Sequence, residues 1–165
     1  MSVARVERVR RDQYSAAVYG SILVAALVGA MFEEQASART MTLSLAATVV
    51  VFWISHAWSE VVGERVAHGR LFDTARIKAI SLEEWPLVEA GMLPSAVLAL
   101  AWIGLVSRHT AVVVALAVSI IQLVGWGILA GRRTQPTWWS ALAVGAVDGV
   151  LGIVIVALEI FVHHL

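Results

Sequence analysis

The sequence predicts an all-α fold: one domain built as a bundle of five transmembrane helices, with the N-terminus in the cytoplasm and the C-terminus outside. Two observations carry this expectation. Hydrophobic residues make up 59% of the chain and charged residues only 15%, with a mean hydropathy of +0.81, which lies outside the range of soluble domains. The Lys and Arg residues, in addition, are segregated onto alternate connections.

A spanning helix needs roughly 20 mostly apolar residues. Five stretches qualify: Tyr14 to Phe32, Met41 to Val62, Leu87 to Val106, Ala111 to Ala130 and Trp138 to Val162. Helices are expected because hydrocarbon offers no partner for a backbone N–H or C=O, and none of these stretches alternates as barrel strands do. The fifth is the longest and is expected to tilt or to project from the bilayer. The first follows Arg5, Arg8, Arg10 and Arg11 and precedes Ala36-Ser37-Ala38, which together resemble a secretory leader. Its apolar run is too long for that, and Glu33 and Glu34 separate it from the small residues, so it is read as the first span.

Orientation follows from the basic residues. With the N-terminus inside, the cytoplasmic segments hold Arg5, Arg8, Arg10, Arg11, Arg65, Arg70, Arg76, Lys78, Arg132 and Arg133, and the outer segments hold only Arg39 and Arg108. The expected location is a cell membrane of the bacterial inner-membrane type, crossed several times. Twelve basic and twelve acidic residues cancel, so nothing in the charge points to nucleic acid. The absence of cysteine excludes disulfides, thiolate metal sites and a Cys nucleophile together.

One connection is long, residues 63–85 on the cytoplasmic side, and is read as an extension of the second helix followed by a short surface helix. Ser81-Leu82-Glu83-Glu84 has the form of a capping box that would start the third span before Pro86. No internal repeat or low-complexity tract interrupts the pattern.

An ionisable group at bilayer depth costs on the order of 2.5–3.5 kcal/mol on insertion scales, so each one needs a reason. Four stand out: His56 and Glu60 in the second span, Glu89 in the third and Asp148 near the middle of the fifth. In the second span His56, Glu60, Glu64 and His68 recur every four residues. That spacing puts neighbours on one helix face, which drifts by about 40° per step. His56 and Glu60 can therefore share a ligand, while Glu64 and His68 fall in the interface, where Arg65 or Arg70 could pair with them. Pro94 cannot donate to the carbonyl of Ala90 and is expected to kink the third span beside Glu89. An oxygen-rich spot with a nearby imidazole suits a divalent metal ion, with His56, Glu60 and Glu89 as its ligands.

Asp148 lies in Gly145-Ala146-Val147-Asp148-Gly149-Val150-Leu151-Gly152, a small-residue surface that allows close helix approach. A polar track is conceivable from Glu159 and Glu33 on the outer side, past Asp148 and Gln122, to His56, Glu60 and Glu89 within. The competing reading is that each group only joins one helix to its neighbour. Of the seven tryptophans, Trp85, Trp138 and Trp139 fall at inner span ends, where interfacial anchors belong. No span offers a lysine for a Schiff base or a Gly-rich loop for phosphates, so no organic cofactor is expected.

The leading functional expectation is therefore a small transporter or channel for a cation, a proton or a divalent metal, working through His56, Glu60, Glu89 and Asp148. It is expected to act as a homo-oligomer, a dimer packed through Ser21-Ala25-Gly29 or Gly145-Gly149-Gly152. A non-catalytic scaffold or accessory subunit is the alternative. A lipid-acting enzyme is third, since no catalytic motif is present.

Overall fold

The computed structural model describes residues 3–68, 74–134 and 137–163, with side chains at 13–67, 74–134, 137–158 and 161. Among these residues the chain forms six helices and no strand: α1 (Val3–Glu33), α2 (Ala38–His68), α3 (Thr74–Glu83), α4 (Pro86–Trp102), α5 (Arg108–Thr134) and α6 (Trp138–His163). Four segments are long and apolar enough to cross a membrane: Gln13–Glu33, Ala38–Ala67, Arg108–Thr134 and Trp138–Leu158. With 17 residues, α4 is only about 25 Å long. It reaches spanning length only together with α3, from which it bends by 49°.

Hydroxyl caps start three of the helices. The Ser37 hydroxyl accepts from the Thr40 amide at 3.1 Å, the Ser107 hydroxyl from the Thr110 amide at 3.1 Å, and the Thr137 hydroxyl from the Ser140 amide at 3.3 Å. In each case the side chain satisfies one of the amides that a helix start leaves open. The expected capping box at Ser81 does not form. Ser81 lies inside α3 and its hydroxyl donates back to the Ile77 carbonyl at 3.0 Å, whereas α4 starts at Trp85 with no side-chain cap and with Pro86 in its first turn. A proline needs no partner there, because its missing N–H is one that would have gone unused.

The third span also ends earlier than residue 106. Gly104 adopts φ +82°, and the amides of Gly104 and Leu105 turn back to the carbonyls of Ala101 and Leu100 at 3.1 and 2.9 Å. This is the Schellman closure, in which a left-handed glycine reverses the chain and takes up the last carbonyls. Hydropathy alone runs through it, because Ile103, Leu105 and Val106 are apolar.

The helix α1 is central, packing against α2, α4, α5 and α6. Half of its span is buried within the protein, against 28% or less for the other three. Val24, Val28, Met41, Leu45, Leu87 and Leu98 form the core between α1, α2 and α4. The outside is as apolar as the inside: Val51, Ile54, Met92, Leu93, Ile121, Val147, Val150 and Ile153 are each more than half exposed. A surface of that kind suits hydrocarbon rather than water.

The small-residue faces expected to join two copies are used within one chain. Ser21 and Ala25 are buried in the central helix. Gly145 approaches α5 so closely that an added Cβ would lie 2.9 Å from the Val124 carbonyl oxygen, and Gly149 and Gly152 rest on Val124 and Leu123. Small residues permit close approach wherever a neighbouring helix is at hand, and here the neighbour is the helix that precedes α6 in the chain.

Candidate functional site

The helix α2 carries His56 and Glu60 on its C-terminal half, but they face different surroundings. The His56 ring leans on Tyr19 of α1, centroids 5.1 Å apart, and its Nδ1 lies 3.8 Å from the Glu84 carboxylate at the α3–α4 bend. Glu60 is exposed, as are Ser59 and Trp58 before it, the last 55% exposed. The two residues thus belong to one stretch of helix without sharing a partner. Glu84, which composition alone marks as solvated, is the acid that meets the imidazole.

Toward its C-terminal end, α2 is tied to α3 by charge. Arg76 donates from Nε to a Glu64 oxygen at 2.7 Å, from a terminal nitrogen to the other Glu64 oxygen, and from Nη1 to Glu83 at 3.2 Å. Bonds between a guanidinium and carboxylates are charge-assisted, and Arg76 makes them to two acids at once. Glu64 thus pairs with Arg76, twelve residues on; Arg70 and the side chain of His68 lie outside the described residues. The Trp53 indole donates to the Ser81 carbonyl at 2.8 Å and meets Trp85 edge-on at 5.6 Å, so an apolar clasp backs the charged one. Trp53 acts as an internal strut.

Glu89, in the first turn of α4, lines a different space. A cleft of about 320 Å³ opens between α1, α3, α4 and α5, with Gln13, Tyr14, Trp85, Glu89, Trp126 and Arg133 on its walls and Leu82 and Pro86 beside them. Arg133 donates to the Tyr14 hydroxyl at 2.6 Å, and the Tyr14 ring stands edge-on to Trp126 at 5.8 Å. None of Gln13, Tyr14 or Arg133 stands out as a site residue in the sequence. The signal was the position of Arg133 and two aromatics at span ends, which the basic and aromatic belts of any membrane protein also produce.

Among the described residues, no group of three or more His, Asp and Glu is arranged to hold a metal. His56, Glu60 and Glu89 do not make the three-ligand set their depth suggested. The reason is rotation: α2 turns Glu60 outward and His56 toward Glu84 and Tyr19, while α4 directs Glu89 into the cleft with Arg133.

Asp148 lies on the other side of the bundle, where α6 meets α5, with its carboxylate against Gly127. It is half-buried and has no hydrogen bond or ion pair among the described residues. Gln122 precedes Gly127 by five residues, or about 140° around α5, so Asp148 and Gln122 sit on different sides of that helix. Among the described residues the Gln122 side-chain oxygen is buried without a hydrogen-bond partner, and so is the Ser95 hydroxyl of α4. Glu33 is half-buried at the C-terminal end of α1. The side chain of Glu159 lies outside the described residues.

No family model matches this chain, and neither a curated protein nor a solved structure does.

Proposed function

We propose that the chain is a five-span membrane protein, N-terminus in the cytoplasm, that passes protons or a small monovalent cation, with Asp148 as the group that takes up and releases the charge. The observation that carries this reading is the Asp148 carboxylate, without a partner among the described residues, in the middle of a long apolar helix. It lies ten residues into α6, about 15 Å from the helix start. A charge there is costly and calls for a cation, a proton or water.

Two further groups stand in the same layer. Ser95 is nine residues into α4, about 14 Å from its start, and Gln122 is twelve residues from the end of α5, about 18 Å. Both present a buried polar atom with no hydrogen-bond partner among the described residues. Such atoms are ordinarily satisfied by water, and water at this depth is what a half-buried carboxylate needs in order to take up and release a proton. Glu89 remains at the cytoplasmic end and Glu33 at the outer end. His56 and Glu60 are not needed, since one has a local partner and the other faces outward. A divalent metal is not part of this reading, for lack of a third ligand.

Flux through the purified protein in liposomes, followed with a pH-sensitive dye, tests this directly. The wild type is expected to dissipate a proton gradient, Asp148→Asn to do so at least about tenfold more slowly, and Glu60→Gln to match the wild type. If the wild type is silent and Asp148→Asn changes only assembly or stability, the accessory-subunit reading takes its place.

A further inference from the structure

We propose that the cleft between α1, α3, α4 and α5 is a binding site for a zwitterion carrying a phosphate and an ammonium group a few bonds apart, as in a phosphoethanolamine head. Arg133 would take the phosphate, and Glu89 with the aromatic walls the ammonium. This rests on the cleft alone and stands apart from the proposal for Asp148.

The first support is the pair of charges. Arg133 and Glu89 line one cleft of about 320 Å³, yet among the described residues neither forms an ion pair, with the other or elsewhere. Opposite charges facing one space without closing on each other leave room for a ligand of complementary polarity. Volumes of this size are ordinary for small-molecule sites.

Second, Arg133 is held in place. Its Nε donates to the Tyr14 hydroxyl at 2.6 Å, and Tyr14 is braced edge-on by Trp126 at 5.8 Å. That bond uses the inner edge of the guanidinium and leaves the terminal nitrogens for two parallel hydrogen bonds to an oxyanion, the geometry that guanidinium favours. The Tyr14 hydroxyl still has its own proton to donate, and the Gln13 amide lines the same wall.

Third, the ammonium end has what a cation needs. Glu89 supplies the charge, and Trp85 and Trp126 supply aromatic rings that attract an ammonium lying over their faces. Trp85 is itself braced by Trp53 at 5.6 Å. An acidic or a basic wall alone would select an ion of one sign. Both together, with aromatic rings, select a zwitterion.

Such a head can come from a membrane lipid or from a free phosphoamine, and titration calorimetry of the full chain in maltoside micelles separates them. The probes are dihexanoyl phosphatidylethanolamine, free phosphoethanolamine, and dihexanoyl phosphatidylglycerol, which keeps the phosphate and lacks the ammonium. The ethanolamine lipid is expected to bind at least about tenfold more tightly than the glycerol lipid. Arg133→Gln and Glu89→Gln are each expected to weaken it by about 10- to 100-fold, as loss of one charge-assisted contact implies. Both residues are exposed, so these variants should fold. Trp139→Ala, at a side chain 80% exposed outside the cleft, should bind as the wild type does. If free phosphoethanolamine binds as tightly as the lipid, the ligand is a soluble solute. If only the lipid binds, it is a membrane headgroup. Equal binding of the two lipids, unchanged binding in Arg133→Gln, or no binding of any probe by the folded wild type would overturn the proposal.

Discussion

The Asp148 carboxylate fills the space in which a side chain at residue 127 would stand. A Cβ built on Gly127 would lie 2.2 Å from the nearer Asp148 oxygen and 2.9 Å from the Gly145 backbone. The absence of a side chain on α5 is thus what gives the acid on α6 its room.

Gly127→Ala should therefore push the carboxylate away and part the two helices. Overpacking of this kind costs about 1–3 kcal/mol, to be read as a lower unfolding temperature in detergent. Asp148→Ala in the same background should restore only part of the loss, because the Gly145 backbone still obstructs the new methyl. Full additivity of the two changes would show that the residues do not meet.

Gly104 makes the contrasting case. Nothing lies within 4 Å of a Cβ added there, but its φ is +82°. Gly104→Ala should cost about 1–2 kcal/mol through backbone conformation alone. Asn, which tolerates the left-handed region better, should cost less than Ala. An equal loss for Ala and Asn would point to packing instead.

Arg76 joins two acids on different helices. Arg76→Ala should speed hydrogen exchange of the α3 amides while lowering global stability by about 1 kcal/mol or less. Lys should rescue poorly, because it cannot bond two carboxylates through a planar fork. A guanidinium and two carboxylates all stay charged from about pH 7 to 10, so exchange protection of α3 should survive across that window, and a loss within it would count against this anchor.

Trp53→Phe keeps a ring beside Trp85 but removes the donor to the Ser81 carbonyl. A cost of about 0.5–1.5 kcal/mol is expected, together with faster exchange in α3. Exchange at the wild-type rate would mean that the indole N–H does not hold the 74–83 segment.

The long apolar helices were legible in the sequence because hydropathy and length are sums over adjacent residues. The same local logic applies to the caps: Ser37 with Thr40, Ser107 with Thr110 and Thr137 with Ser140 are each three residues apart and could have been read as helix starts. The Schellman turn at Gly104 was harder, since apolar residues flank it on both sides.

What only the tertiary structure decided is which side chains meet. Spacing along α2 put His56, Glu60 and Glu64 on neighbouring points of one face. It could not tell that Glu84 would stop at the imidazole, that Arg76 would clasp Glu64, or that Glu60 would face outward. Glu89 and Arg133 share a cleft although 44 positions separate them in the chain, and Asp148 finds its place through a glycine on another helix. A sequence fixes the angle of each residue about its own helix, about 100° per step. The rotation of one helix against the next is set by how their surfaces pack, and on that rotation depends whether a buried charge finds a partner, a pocket or none.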